Sequence, residues 1–180
     1  MKDFGVELIL NNSIDCHRSA KDVLEMAKKY DMPILYSCHP RSKKFIELRG
    51  FKFDERVIQN EPLGFHDYNN LQMNAYCCVS DSGTLPEESS FYLSINKPIA
   101  AVCIRTSTER PEALDAGDFI LAGISTEEVL QAVDMAVSMV DNKDLGKPCE
   151  YYTDENVSVK VIRIIQSYTS VVNKMVWRKR

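Results

Sequence analysis

The 180-residue sequence predicts an α/β protein with a Rossmann-like parallel sheet and helices on both faces of that sheet. The first observation is that short apolar runs alternate with helix-like patterns and are joined by short connections. The second is the length, which suits one domain of ordinary size. The third is the composition, since a hydrophobic fraction of 44% and a charged fraction of 27% are typical of a globular protein.

Five short apolar runs predict the strands, because runs of this kind are typical of strands buried on both faces. They lie at residues 33–38, 56–60, 76–80, 97–103 and 118–123. Helix-like patterns lie at 19–30, 41–50, 67–76, from the turn at 80–88 to about 95, at 111–117, at 125–142 and at about 155–177. The last helix carries a broad apolar face that something must cover, formed by Val157, Val161, Ile164, Ile165, Tyr168, Val172 and Met175.

Charge and cysteine content exclude several classes of function. The net charge of −4 gives no general attraction to nucleic acid or to an anionic membrane. No apolar stretch approaches the roughly 20 residues of a membrane-spanning helix, and no signal-peptide pattern is present, so we expect a cytoplasmic protein. The six cysteines form no CxxC pair, which predicts reduced thiols and no metal site, and no cofactor is expected.

Ligands of parallel α/β sheets bind at the carboxyl ends of the strands, where the next helices begin. This rule directs attention to the loops at 37–42, 80–88 and 104–112.

The second of these loops lies in "SDSGTLPEESS", residues 80–90. Thr84 and Glu87 have the spacing of a capping box, whereas Glu88 has no such local explanation beyond a favourable interaction with the helix dipole. Ser82 and Gly83 precede the helix and leave backbone N–H groups at its N-terminus, which favours an anion there.

The third loop lies in "RTSTERPEAL", residues 105–114. Pro111 suits the first helical position, which places Arg110 at the mouth of the helix. A cation at a helix N-terminus is unfavourable unless an anion accompanies it. Glu109 or Glu112 would supply that anion internally, and a phosphate would supply it from outside.

Two further positions are weaker candidates. His39 and Arg41, in "SCHPRSKK", follow a predicted strand, but a lone histidine there is usually structural and a basic cluster is often a solvated helix face. Tyr68 opens a helix where it could stack on a base, although aromatic residues in that position are more often part of the core.

Several motifs occurring in order resemble the non-hydrolysing UDP-N-acetylglucosamine 2-epimerase family. They are the SDSG turn followed by two glutamates, the strand that begins with "KP", and the loop "TERPE". "HPRSKK" and "PLGFHDYNNLQMNAYCCVSDSG" are similar to one branch, which acts in UDP-N-acetyl-L-fucosamine synthesis for surface polysaccharide. The resemblance runs from about residue 24 to residue 177.

The resemblance implies half of a GT-B fold, namely the C-terminal domain that grips UDP. It implies that the N–H groups of Ser82 and Gly83, together with Arg110, bind the diphosphate. It further implies that Glu88 binds the ribose hydroxyls and that Tyr68 lies beside the uracil. Thr84, His39 and Arg41 are additional candidates. Family enzymes eliminate UDP and add it back after the proton at C2 has changed face.

The sequence also departs from the family pattern. An HRxEN-like segment is expected near or before Met1 and is not matched at the start of the sequence, so we expect the N-terminal domain with the acid and base carboxylates to be missing from this chain. We therefore divide the chain into a divergent segment, 1–23, a UDP-binding domain, 24–154, and a crossover helix, 155–180. Two hypotheses follow: a working part of an epimerase, with a separately encoded N-terminal half or self-association through the last helix, and a truncated, non-catalytic module that binds UDP or a UDP-sugar.

Overall fold

The computed structural model describes residues 7–9, 16–37, 40–61 and 63–179, with residues 7–9, 16–20, 40–42 and 45 described by their backbone alone. The strands are β1 (Glu7–Ile9), β2 (Ile34–Ser37), β3 (Val57–Asn60), β4 (Cys78–Ser80), β5 (Ala101–Cys103) and β6 (Ile120–Leu121). The helices are α1 (Cys16–Tyr30), α2 (Pro40–Leu48), α3 (Phe65–Asn74), α4 (Leu85–Ser94), α5 (Pro111–Ala116), α6 (Thr126–Asn142) and α7 (Val157–Met175). A 3₁₀ turn, Glu150–Tyr152, precedes α7.

The strands form one parallel sheet in the order β3-β2-β1-β4-β5-β6, which confirms the predicted fold class. The strand order reverses between β1 and β4, where Ile9 lies opposite Ser80. Sheets of this topology bind ligands in the crevice beside such a reversal, at the carboxyl ends of the strands. The turn that follows Ser80 therefore begins at the position where a ligand is expected.

The five strands predicted from the sequence are confirmed, but β1 was not predicted. It is only three residues long, which is too short to show a periodic pattern. Nevertheless it occupies the middle of the sheet, between β2 and β4. Part of the segment 1–23 thus belongs to the same sheet as the rest of the chain, and the division at residue 24 stays a prediction.

The core has two layers, one on each face of the sheet. Cys77 and Val79 face the helices α1 and α6, whereas Cys78, between them, faces α4. This alternation is the ordinary consequence of side chains pointing to opposite faces along a strand. Cys103, at the end of β5, is also a buried free thiol, and burial raises its pKa to about 11.

The helix α6 shows how a helix on this sheet is normally built. Ser125 accepts a hydrogen bond from the N–H of Glu128, whose side chain accepts one from the N–H of Ser125, so the predicted capping box is confirmed. The buried Asp22 of α1 accepts a hydrogen bond of 2.5 Å from the hydroxyl of Thr126. The first turn of α6 therefore has its polar groups satisfied by neighbouring groups.

The helix α7 is different, because none of its residues is buried. Its predicted apolar face is exposed, with Ile164 and Ile165 about as open as Tyr168 at 60%. No helix in the described part of the chain is long and apolar enough to cross a membrane.

The segment leading to α7 is fixed against α5 by a close backbone approach. Lys147 donates its N–H to the carbonyl of Ala116, and a Cβ on Gly146 would lie 2.2 Å from that same oxygen. Gly146 is required here because any side chain would collide with backbone atoms.

Candidate functional site

The loops after β4 and β5 lie side by side at the carboxyl edge of the sheet. Ser80 pairs with Cys103, and the N–H of Ile104 donates to the carbonyl of Ser80 over 2.9 Å. The two segments that the sequence singled out, 80–88 and 104–112, are thus neighbours in space.

The capping box predicted at the start of α4 is wrong. Thr84 has helical backbone angles and makes no hydrogen bond to the backbone N–H groups of α4. Its hydroxyl instead donates to Glu88 Oε1 over 2.8 Å, and Glu87 turns away to a different helix. Pro86 lies in the first turn as predicted.

Glu88 is the centre of a hydrogen-bond network that joins α3 and α4. Its Oε2 accepts from Gln72 Nε2 at 2.7 Å and lies 3.4 Å from the hydroxyl of Tyr68. Its Oε1 is held by Thr84. Tyr68 and Glu88, 20 positions apart in the sequence, are therefore adjacent at the carboxyl edge, and the carboxylate has one preferred orientation.

Gln72 holds this network together, and the sequence analysis missed it. Its side chain is fully buried, and its Nε2 also contacts the hydroxyl of Tyr68 at 2.8 Å. Tyr92, on α4, donates to Gln72 Oε1 over 3.0 Å. A glutamine on the inner face of α3 was the available signal, since a buried amide must find partners for its donors and its acceptor.

Arg110 lies at the mouth of α5, as predicted, with Pro111 in the first helical position. Its anion is Glu87, an alternative that the sequence analysis did not consider. Arg110 Nη2 lies 2.7 Å and Nε 2.8 Å from Glu87 Oε1. This hydrogen-bonded carboxylate raises the pKa of the Arg110 side chain.

The two glutamates that the sequence offered as partners of Arg110 contact other side chains. Glu109 Oε2 pairs with Arg105 Nη1 at 2.9 Å. Glu112 accepts a hydrogen bond from the hydroxyl of Tyr152, in the turn before α7. That bond lowers the pKa of Glu112, while burial and the same bond raise the pKa of Tyr152.

Ser82 and Gly83 differ in what they offer to a ligand. The N–H of Ser82 donates to the hydroxyl of Ser80 over 3.0 Å, and the hydroxyl of Ser82 contacts that of Thr84 over 2.9 Å. The N–H of Gly83 has no acceptor among the described residues. Within this turn, Gly83 is thus the position with a backbone donor left over.

The remaining candidates are not placed in this cluster. His39 lies outside the described residues, and Arg41 is described only as a backbone position in α2. Across residues 7–9, 16–37, 40–61 and 63–179, no group of three or more His, Cys, Asp or Glu side chains is arranged to hold a metal ion.

A parallel sheet whose strand order reverses beside a polar cluster is typical of Rossmann-like domains, which bind ligands at the carboxyl edge of the sheet. We call this edge, formed here by the loops 80–88 and 104–112, the ligand edge. The sequence profile described as UDP-N-acetylglucosamine 2-epimerase matches residues 11–166. The chain therefore belongs to the UDP-N-acetylglucosamine 2-epimerase family. A relative of that name from Methanococcus maripaludis is 32% identical over 146 residues, which are 78% of this chain and 37% of the relative. One from Methanocaldococcus jannaschii is 30% identical over 126 residues, 67% of this chain and 32% of the relative.

Solved structures agree with this assignment. The UDP-N-acetylglucosamine 2-epimerase of Rickettsia bellii is 33% identical and superimposes with a TM-score of 0.81 over 99% of this chain, which is 48% of that protein. The M. jannaschii enzyme in complex with UDP-GlcNAc and UDP is 24% identical, with a TM-score of 0.75 over 92% of this chain and 46% of that protein. The chain spans about half the length of these structures, which are of the GT-B type.

Proposed function

We propose that the chain is the UDP-binding half, equivalent to the C-terminal domain, of a sugar-nucleotide 2-epimerase. It would bind the UDP moiety of a UDP-2-acetamido sugar at the carboxyl edge of the sheet. The observation that carries this proposal is the adjacency of Tyr68 and Glu88, because an aromatic ring and a fixed carboxylate suit a base and the ribose hydroxyls attached to it.

The carboxylate of Glu88 is prepared for this role. Thr84 and Gln72 fix one oxygen each, at 2.8 Å and 2.7 Å. A carboxylate accepts about four hydrogen bonds, so capacity for a ribose hydroxyl remains even with the longer contact from Tyr68. Because the orientation is set before the ligand arrives, little side-chain entropy is lost on binding.

The diphosphate would lie at the turn before α4. The open N–H of Gly83 faces no internal acceptor among the described residues, and Ser82 and Arg110 border the same edge. Backbone donors at the start of a helix favour negative charge, and guanidinium matches phosphate geometrically. His39 and Arg41 remain further candidates for this end of the ligand.

In the reaction that we propose, UDP leaves the sugar and returns after the proton at C2 has changed face. Donors on the diphosphate make UDP a better leaving group, which is the contribution of this half. Moving the C2 proton requires an acid and a base at that carbon. We place those groups on a separate N-terminal half, so this chain by itself would not epimerise. The alternative is a truncated, non-catalytic module that binds UDP or a UDP-sugar.

Calorimetric titration with UDP tests the site. We expect binding, and we expect Glu88→Gln to weaken it by about tenfold or more, because hydrogen bonds to charged groups are worth about 1.5–3 kcal/mol. Glu128→Gln, the same change at the start of α6, is the matched control and should bind UDP like the unaltered chain. Absence of heat at millimolar UDP would refute the proposal.

Deuterium incorporation at C2 of a UDP-sugar in D₂O separates the two readings. We expect none from this chain alone and clear incorporation when an N-terminal epimerase half is added. Incorporation by the isolated chain would contradict the assignment of the acid and base to another half. No incorporation with any such half would favour the non-catalytic module.

The sugar that we propose is the 2-acetamido-2,6-dideoxy sugar of UDP-N-acetyl-L-fucosamine synthesis, a precursor of surface polysaccharide. The support for this proposal is the resemblance of "PLGFHDYNNLQMNAYCCVSDSG" to the branch of the family that acts in that synthesis. Once the two halves are combined, the ratio of kcat/KM for the 6-deoxy sugar nucleotide and UDP-N-acetylglucosamine tests this proposal. A preference for the 6-hydroxyl compound would overturn it.

We also propose that α7 is covered by a partner, either the separately encoded half or a second copy of this chain. Its exposed apolar residues include Ile162 at 65% and Ile165 at 60%. In sedimentation velocity, the unaltered chain should associate, and Ile162→Glu with Ile165→Glu should sediment as a monomer without loss of thermal stability. The proposal would be refuted if the unaltered chain is folded and monomeric and does not bind the N-terminal half.

A further inference from the structure

One arginine lies beside Gly83 and another beside the first turn of α4, and the two differ in how many of their donors are used. In Arg110, Nε and Nη2 contact Glu87 at 2.8 Å and 2.7 Å, and Nη1 donates to the carbonyl of Glu109 over 3.3 Å. All three nitrogen atoms of that guanidinium are thus engaged inside the protein. A phosphate that recruits Arg110 must first compete with these contacts.

Arg105 has donors to spare. Its Nη1 pairs with Glu109 Oε2 at 2.9 Å, and its Nε and Nη2 make no hydrogen bond or ion pair with the described residues. The pair is exposed, with 31% of the Arg105 side chain and 70% of the Glu109 side chain open to solvent. Exposed ion pairs of this kind contribute at most about 1 kcal/mol, so the contact is easily exchanged.

The position of this pair is what connects it to the ligand edge. A Cβ on Gly83 would lie 3.9 Å from Arg105 Nη1 and 3.9 Å from Glu109 Oε2. The side chain of Glu109 thus brings a carboxylate to the residue whose N–H has no internal acceptor. The Glu109 carboxylate therefore contacts Arg105 at the position where a bound phosphate would contact it.

We infer that Arg105 binds the diphosphate of the nucleotide and that Glu109 holds its place until the ligand arrives. This inference rests on the proposed function. A phosphate group carries more charge than the Glu109 carboxylate and accepts two parallel N–H bonds from a guanidinium. Exchange of Glu109 for phosphate therefore gains contacts on Arg105 without requiring the Arg110–Glu87 pair to open.

Calorimetric titration with UDP and with inorganic diphosphate tests this exchange. Arg105→Ala should weaken UDP binding by about tenfold or more, since charged hydrogen bonds are lost. Glu109→Gln should strengthen UDP binding by a few-fold, because the competing charge is removed. Binding of inorganic diphosphate should change in the same two directions.

Arg56→Ala is the matched control. Arg56 is similarly exposed, at 30% of its side chain, and is paired with Asp54 and Asp31, but it precedes β3 at the opposite edge of the sheet. The Arg56→Ala variant should bind UDP like the unaltered chain, and circular dichroism establishes that each variant is folded.

The outcomes separate this inference from the proposed function. If the unaltered chain binds UDP and Glu88→Gln weakens that binding while Arg105→Ala does not, this inference is overturned and the proposed function stands. If the unaltered chain does not bind UDP, the proposed function fails, and retained binding of inorganic diphosphate that Arg105→Ala abolishes would still support the phosphate site.

Discussion

The helices α4 and α6 begin with the same sequence pattern and use it in opposite ways. Each has Ser or Thr followed three positions later by Glu, as Ser125 and Glu128 in α6 and Thr84 and Glu87 in α4. In α6 the two side chains bond to backbone N–H groups of their own helix. In α4 the threonine turns to Glu88, and Glu87 turns to Arg110 on another helix.

The buried aspartates beneath the two helices repeat this difference. Asp22, under the first turn of α6, accepts a hydrogen bond from Thr126. Asp118, against α4, is 6% exposed, and neither of its carboxylate oxygens has a hydrogen-bond partner among the described residues. The helix α6 is built for stability, whereas α4 directs its polar side chains to neighbouring elements at the ligand edge.

The largest loss of stability is expected from Gln72→Leu. The change removes the amide that bonds both Glu88 and Tyr92, and each lost hydrogen bond costs about 1–3 kcal/mol. Urea unfolding should show a loss of about 2–3 kcal/mol, together with weaker UDP binding. Asn74→Leu, at an exposed position of the same helix, should stay within about 0.5 kcal/mol. Equal losses for the two variants would mean that the network adds nothing to stability.

A smaller loss is expected from Ser125→Ala. Removal of a working N-cap costs about 1 kcal/mol. Urea unfolding should show that loss, and UDP binding should be unchanged because α6 begins at a different loop. An unchanged midpoint would contradict the role of the capping box.

Thr84→Ala should give the smallest change in stability and yet alter the ligand edge. Its hydroxyl caps no backbone N–H, so we expect a loss within about 0.5 kcal/mol. UDP binding should weaken several-fold, because Glu88 Oε1 loses the contact that orients it. A loss of stability equal to that of Ser125→Ala would show that Thr84 is a cap after all.

The free energy of unfolding should depend on pH through the buried Asp118. Burial raises the pKa of Asp118, whose carboxylate oxygens have no hydrogen-bond partner among the described residues. The unfolded chain therefore releases this proton at lower pH, near 4, while the folded chain retains it. Between the two pKa values the folded state binds more protons, so stability falls as pH rises.

Asp118→Asn should remove that slope, which urea unfolding at a series of pH values measures. Asp115→Asn, an exposed position on α5, is the matched control and should keep the slope of the unaltered chain. A variant Asp118→Asn with an unchanged slope would show that Asp118 does not titrate in this range.

The contrast between α4 and α6 also marks how far the sequence could be interpreted. The alternation of patterns predicted the fold and five strands, because hydrophobic period and turn residues are local signals. β1 was missed, since three residues carry no period of their own. Glu88 and Arg110 were placed in loops at strand ends by the general rule for parallel sheets, whereas Tyr68 was singled out as an aromatic residue that opens a helix.

The contacts among those residues could not be predicted. The position of Glu87 suits a capping box as well as an ion pair. Which of the two forms depends on Arg110, 23 positions away in the sequence. Gln72 was one residue of a predicted helix, and its partners were identified only once the structure packed α3 against α4. Local patterns define which groups are available, and the packing of helices decides which of them meet.

The hydrogen bond from Tyr152 to Glu112 has a thermodynamic consequence. It links the turn before α7 to the helix that begins beside Arg110. A partner that alters this contact when it covers α7 would change the affinity for UDP by some factor. Reciprocity then requires UDP to change the affinity for that partner by the same factor, so occupancy of one edge of the domain and assembly at its last helix would be two measurements of a single coupling free energy.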